Sequence, residues 1–235
     1  MSIPKVLPPA NRKELFERLN KIVRHGEYEM PRTRYVGTGA PGLYLEDLLG
    51  LTTGNRDVPD TLGFELKWYT PKTNLITLFH KEPGPEGVVG YMVKKYGWKD
   101  EQGRLSFRHT IMGKSDKFQI DSDGDQILVR RIGGNGLVPT WTQDDILSAA
   151  GAKLRRLIVV RGIRKEQKVT YDRADIYENL QLSFFVWEVV NGTVAIDFDV
   201  RESSPGSKGF RNHGTKFRVA PENLCRLYAK KERLS

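Results

Sequence analysis

The segment Val58-Pro59-Asp60-Thr61-Leu62-Gly63-Phe64-Glu65-Leu66-Lys67 sets a strict local pattern. Leu62, Phe64 and Leu66 alternate with Gly63, Glu65 and Lys67, which predicts a strand over 62–67 with one buried face. Side chains two apart on a strand share a side, so Glu65 and Lys67 project together while Leu66 points into the core. Asp60 stands in the turn just after Pro59 and can swing beside Glu65. Two carboxylates then converge next to an ammonium group.

That set suits a divalent cation and the hydrolysis of a phosphodiester. Carboxylate oxygens hold Mg²⁺, which keeps several of its waters. The cation polarises the phosphate and eases deprotonation of the attacking water. A neighbouring lysine stabilises the nucleophile or the charge growing on phosphorus. Glu46, on a short helix upstream, is the natural additional carboxylate. A solvent-facing Glu–Lys pair on an edge strand would also produce E-x-K; Asp60, Pro59 and Glu46 argue for the metal site.

The chain has 235 residues, with 38% hydrophobic and 29% charged, enough apolar residues for a real core and against wholesale disorder. Lys and Arg number 38 against 29 Asp and Glu, a formal charge of +9, which favours a polyanionic partner, nucleic acid first and an anionic membrane second. The longest apolar runs, such as 157–160 and 183–187, fall well short of the roughly 20 residues that span a bilayer. Met1-Ser-Ile-Pro-Lys5 carries no signal-peptide hydrophobic stretch. One cysteine, Cys225, and four histidines give neither an internal disulfide nor a zinc spacing, so a reducing, cytoplasmic setting is expected.

Periodicity predicts helices over 11–25, 43–49, 86–96, 143–154 and 178–190, and a last one from Pro221. Asn11 with Glu14 forms the cap-like start of the first, and Gly26 its stop. Strands are expected over 62–67, 75–80 (as its antiparallel neighbour), 104–112, 156–163, 193–201 and 215–219, with a hairpin of 117–121 and 126–132 around Asp121-Ser-Asp-Gly-Asp125. Residues 203–214 read as a Gly/Ser/Lys loop. Strands and helices interleave without regular βαβ spacing, which argues for α/β or α+β with a mixed central sheet flanked by helices.

Leu45-Glu-Asp-Leu-Leu-Gly50, Pro59-Asp60, Gly63-Phe-Glu65-Leu-Lys67 and Asn74-Leu-Ile-Thr-Leu-Phe-His-Lys81, with the late His213-Gly-Thr-Lys-Phe-Arg218, resemble the MvaI/BcnI family of type II restriction endonucleases, related in fold to the nicking enzyme MutH. The resemblance runs with gaps from about Leu43 to the C-terminus. It implies a PD-(D/E)xK core in two lobes around a DNA cleft. Residues 1–235 would form one endonuclease unit, with 40–82 in the catalytic lobe and DNA-recognition elements including 203–219. It also implies Mg²⁺ dependence and cleavage of double-stranded DNA at a short CC-x-GG-type site by a monomer, without a nucleotide cofactor or a membrane. Such an enzyme belongs in the prokaryotic cytoplasm, at the nucleoid. Asp60, Glu65 and Lys67 match the catalytic triplet, and Glu46 its upstream glutamate. His80 matches a position that reads bases in the BcnI branch, whereas Lys216 departs from that branch, so the central base pair stays open.

Lys208, Arg211, His213, Lys216 and Arg218 crowd a loop and strand whose only nearby acid in the sequence is Glu202. They are the expected DNA contacts, because Arg and Lys donate to guanine O6 and N7. A second basic run, Lys153, Arg155, Arg156, Arg161, Arg164, Lys165 and Lys168, suits phosphate contacts. Gly37-Thr-Gly-Ala-Pro-Gly42 with Asp57 imitates a dinucleotide fingerprint, but Pro41 falls inside it and no βαβ unit surrounds it, so it reads as a loop. Asp121, Asp123 and Asp125 imitate a calcium loop without its glycine or closing glutamate. A MutH-like nicking enzyme, a catalytically inactive DNA-binding module and a membrane-surface protein remain the alternative readings.

Overall fold

The computed structural model describes residues 6–51 and 59–234, so Met1 to Lys5, Asp57 and Val58 lie outside the described residues. In chain order the elements are α1 (Arg12–His25), β1 (Glu27–Glu29), α2 (Ala40–Leu49), β2 (Glu65–Tyr69), β3 (Ile76–His80), α3 (Val88–Tyr96), β4 (Trp98–Lys99), β5 (Leu105–Ile111), β6 (Phe118–Asp123) and β7 (Gln126–Arg131). There follow β8 (Thr140–Thr142), α4 (Gln143–Lys153), β9 (Arg156–Lys165), β10 (Lys168–Leu180), α5 (Leu182–Val190), β11 (Val194–Glu202), β12 (Phe210–Asn212), β13 (Lys216–Val219), α6 (Leu224–Leu227) and β14 (Tyr228–Arg233). The class is mixed α+β, as the interleaved pattern indicated. The chain divides into two compact units. One holds the described residues up to Ile76, with Gly151–Gln181 and those from Leu224 onward; the other holds Thr77–Ala150 and Leu182–Asn223. Residues 77–82, expected with the catalytic segment, therefore belong to the second unit.

In the first unit the sheet runs β1-β10-β9-β2, with β14 on β10 beyond β1. All pairs are antiparallel except β2 on β9. Leu66 on β2, Ile158 and Val160 on β9, and Ala174 and Ile176 on β10 face one side. There they meet Leu15 and Leu19 of α1 and Tyr44, Leu45 and Leu49 of α2 in one apolar core. Glu65 and Lys67, in register with Leu157 and Val159, take the other side. Helix α1 starts where its sequence signal placed it: the Asn11 side chain accepts the Glu14 N–H at 3.0 Å, and the Glu14 carboxylate accepts the Ala10 N–H at 2.8 Å.

In the second unit a sheet runs β3-β13-β11-β5-β4, with β12 on β11, beside a three-stranded sheet β6-β7-β8. Its core is aromatic. Phe79 stacks on Phe217 at 4.7 Å between centroids, Trp141 meets Phe217 edge-on at 5.6 Å, and Phe107 meets Phe198 at 5.5 Å. The buried Trp141 indole N–H donates to the Lys81 carbonyl at 3.0 Å, which satisfies its polar edge.

Four expectations are corrected. Strand β2 begins at Glu65 rather than Leu62, because Leu62 and Gly63 form a tight turn with φ of 47° and 77°. Strand β3 does not pair with β2; it joins β13, and β2 takes β9 in parallel. The helix expected over 178–190 begins only at Leu182, because Glu178 to Leu180 end the long strand β10. The C-terminal helix is a single turn, and the chain continues as β14.

Candidate active site and charged sheet face

The site is built on the edge strand β2. Thr61 N–H donates to the Phe64 carbonyl at 3.0 Å and Phe64 N–H returns a bond to Thr61 at 2.6 Å, closing a two-residue turn. Both central residues have positive φ, which Gly63 adopts freely and Leu62 does not. The turn folds Asp60 back along β2, where its Oδ2 accepts the Leu66 N–H at 2.7 Å. An edge strand leaves such a backbone donor open to a side chain.

Glu65 is only 2% exposed. Its Oε1 accepts from Lys67 Nζ at 2.6 Å, and Lys153 Nζ lies 3.9 Å from the same oxygen. Oε2 is buried and has no hydrogen-bond partner among the described residues. Burial pushes the Glu65 carboxyl above its ordinary range, the Lys67 ammonium opposes that, and the Asp60 charge adds to it. Glu46, half-buried on α2, is pushed up to about 7, first by burial and then by the charge of Asp60, with Lys67 opposing and Asp47 and Glu65 adding. The adjacent Asp47 is otherwise engaged, by the Tyr35 hydroxyl at 2.6 Å and Arg34 at 2.9 Å. Asp60, Glu65, Lys67 and Glu46 therefore form one electrostatic cluster.

Among the described residues no group of three or more His, Cys, Asp and Glu side chains is gathered tightly enough to hold a metal ion. A catalytic Mg²⁺ asks for less: one or two carboxylates, with waters and substrate phosphate completing six ligands. The orphaned Glu65 Oε2, crowded by the like charges of Asp60 and Glu46, fits that need. Crowded carboxylates with an open oxygen are stabilised by a hard cation.

The second unit gathers the basic residues differently from the sequence expectation. On β11, Asp197 lies opposite Lys216 of β13 and Thr110 of β5, and Asp199 opposite Arg108 of β5. Lys216 Nζ reaches Asp199 at 3.1 Å, Arg218 reaches Asp197 at 3.1 Å, Arg108 Nε lies 3.4 Å from Asp199, and Thr110 donates to Asp197 at 2.6 Å. Burial raises the Asp199 carboxyl, but Lys216, His213 and Arg108 outweigh it and leave it below its ordinary value. Arg108, Asp197, Asp199, Lys216 and Arg218, with His213 and Phe198, line a depression of about 450 Å³. The acids facing Lys216 and Arg218 are thus Asp199 and Asp197, not Glu202 at the end of the same strand, whose carboxylate accepts the Leu105 N–H at 2.8 Å.

His80, at the end of β3, lies against Gly214: a Cβ at 214 would sit 2.8 Å from the imidazole, and φ there is +84°. His80, His213, Lys216 and Arg218 are brought to one region of this unit. Lys208 stands on an exposed loop and Arg211 on β12 opposite Arg201, outside the depression.

The run from Lys153 to Lys168 is largely engaged with partners inside the first unit. Arg161 forms two bonds to Asp172 at 2.9 and 3.0 Å, Lys168 pairs with Glu27 at 2.6 Å, and Arg164 caps the Gly37 carbonyl. Lys153 alone of these joins the Glu65 cluster, a placement no local motif signals. Asp197 and Asp199 were legible as an alternating D-x-D on a strand; Arg108 was not.

Comparison with known proteins completes the picture. The model of the MvaI/BcnI restriction endonuclease family matches residues 16–228. No curated protein matches the chain. Among solved structures, the restriction endonuclease MvaI–cognate DNA substrate complex aligns with a TM-score of 0.78 at 26% identity, covering 95% of this chain and 98% of that one. MvaI in the absence of DNA aligns with a TM-score of 0.55 at 26% identity, covering 94% and 96%. The Glu65 cluster thus sits in a chain matched along nearly its whole length, and that chain belongs to the MvaI/BcnI restriction endonuclease family, as a site-specific type II deoxyribonuclease.

Proposed function

We propose that this restriction endonuclease hydrolyses both strands of duplex DNA at a short CC-x-GG-type site in a Mg²⁺-dependent reaction, leaving 5′-phosphate and 3′-hydroxyl ends. It acts as a monomer without a nucleotide cofactor. The observation that carries the reading is Glu65, a buried carboxylate with two lysines near one oxygen and, among the described residues, no hydrogen-bond partner on the other.

In this reading Glu65 Oε2 and Asp60 hold the cation and Glu46 supplies a further carboxylate. The cation, when bound, supplies Lewis-acid polarisation of the phosphoryl group and eases water deprotonation at neutral pH. Asp60 is kept in reach by its bond from Leu66 N–H, so little ordering is left for the moment of binding. Lys67 presents its ammonium to the attacking oxygen or the phosphoryl oxygens as negative charge grows there. Burial around Glu65 limits competing water and strengthens those charges.

DNA is held in this reading by His80, Lys208, Arg211, His213, Lys216 and Arg218. Lys216 and Arg218 are pre-oriented by Asp199 and Asp197, and donors fixed in that way suit guanine edges. Lys208 and Arg211, exposed and outside the depression, suit phosphate. The test is digestion of supercoiled plasmid with purified protein and Mg²⁺, followed by sequencing of the ends. Discrete linear fragments with 5′-phosphates at one recurring site are expected. A reaction that stops at open circles would make it a MutH-like nicking enzyme, and binding without cutting under any divalent cation would leave only a DNA-binding module.

A further inference from the structure

We propose that Lys153 is a positioning residue of the cleavage reaction, which takes over Glu65 Oε1 when Lys67 leaves that oxygen for the scissile phosphate. The inference rests on the endonuclease reading above. Lys67 Nζ, 2.6 Å from Oε1, makes a charge-assisted hydrogen bond there with one of its three N–H groups. Its charge is shared with Oε1 while that bond stands, and full transfer of the ammonium to the scissile phosphate breaks it. If it simply left, Glu65 would lose its closest partner while almost wholly out of water, which is costly for a carboxylate.

Lys153 removes that obstacle. Its Nζ already lies 3.9 Å from the same oxygen, its side chain is 20% exposed, and a small rotation closes the remaining gap. Its backbone is fixed. Lys153 is the last residue of α4, and the carbonyl of the buried Leu154 accepts the hydroxyl of Tyr228, itself only 4% exposed, at 2.8 Å. The step is an exchange of hydrogen-bond partners: the Lys67 N–H···Oε1 bond breaks, the Lys153 N–H···Oε1 bond forms, and both amines stay protonated. Glu65 remains paired throughout, with Oε2 untouched.

The test compares the full-length wild type with Lys153→Met, Lys153→Gln and Lys153→Arg. Cleavage of a duplex with Mg²⁺ gives kcat and KM, and Mn²⁺ titration followed by electron paramagnetic resonance without DNA gives metal affinity. Both neutral variants should lose roughly 10- to 100-fold in kcat with KM for DNA unchanged. Their Mn²⁺ affinity should hold or tighten, because a cation beside the binding carboxylate is gone. Lys153→Arg, which keeps the charge, should cut within several-fold of wild type. The proposal is overturned if neutral variants cut like wild type, if their Mn²⁺ binding falls in step with cutting, or if KM rises at constant kcat, which would make Lys153 a DNA phosphate contact. A wild-type protein that binds Mn²⁺ but cuts no duplex would instead remove the endonuclease reading, and this proposal with it.

Discussion

Glu46 carries its carboxyl at about 7, above the ordinary 4.5, because it is half out of water and faces Asp60. A raised carboxyl means the folded protein favours the neutral form. Its contribution to stability is complete below pH 4.5 and is lost as pH rises through about 7. Glu46→Gln fixes the neutral form, so metal-free E46Q should exceed wild type by on the order of 1–2 kcal/mol at pH 8, after allowance for partial solvent screening, and match it near pH 4.5. Thermal melts in chelator at the two pH values check this; a gap that does not widen with pH refutes it. In the proposed site the cation displaces the same proton, so at limiting Mg²⁺ cutting should rise through about pH 7 and the midpoint should fall as Mg²⁺ is raised. Lys67→Ala should lower the cutting rate by roughly 10²- to 10³-fold while DNA affinity changes little, read by gel shift in Ca²⁺ and single-turnover cleavage in Mg²⁺. Retained cutting would take Lys67 out of the chemistry. Glu65 and Lys67 could be singled out from their order along the chain, because a strand's two-residue period puts them on one face, and Asp60 and Glu46 stood out as carboxylates just upstream. Lys153 could not: its amine reaches Glu65 only because the end of α4 lies near β2, a meeting of segments distant along the chain.

Elements that announce themselves locally were readable, and those held by a distant partner were not. Helix α1 has its cap, its acidic first turn and a three-to-four-residue apolar period within its own sequence. Asn11→Ala should therefore cost about 1 kcal/mol in denaturant unfolding without altering cleavage. A change in cleavage rate beyond that of the folded fraction would show that α1 does more than cover the sheet. Strand β14 is the opposite case. Lys230, Lys231, Glu232 and Arg233 look helical by composition, and all are exposed. They are extended because the edge of β10 offers its backbone and the carboxylates of Glu178 and Asp175, at 3.4 Å from Lys230 and Arg233. The parallel pairing of β2 with β9 is equally invisible locally, since a parallel partner must return after a long connection.

For the molecule as a whole, a formal charge of +9 predicts DNA binding that weakens steeply with salt, because each neutralised phosphate releases counterions. Many of the lysines and arginines are already paired, however, including Arg161, Arg164 and Lys168. The slope of log K against log salt, measured by fluorescence anisotropy, should therefore correspond to far fewer phosphates than the count of basic residues, on the order of 5–8. A flat response would remove the basic surface from the account. The sequence by itself determined the class of the fold and the family, and it offered Asp60, Glu65, Lys67 and Glu46 as candidates, because period, spacing and residue chemistry are properties of contiguous chain. Only the tertiary structure decided that a second lysine stands at Glu65, that Asp197 and Asp199 face Lys216 and Arg218, and which strands are neighbours. Those depend on long-range pairing, where the partner that wins is set by burial and backbone hydrogen bonding across the sheet rather than by any short stretch of residues.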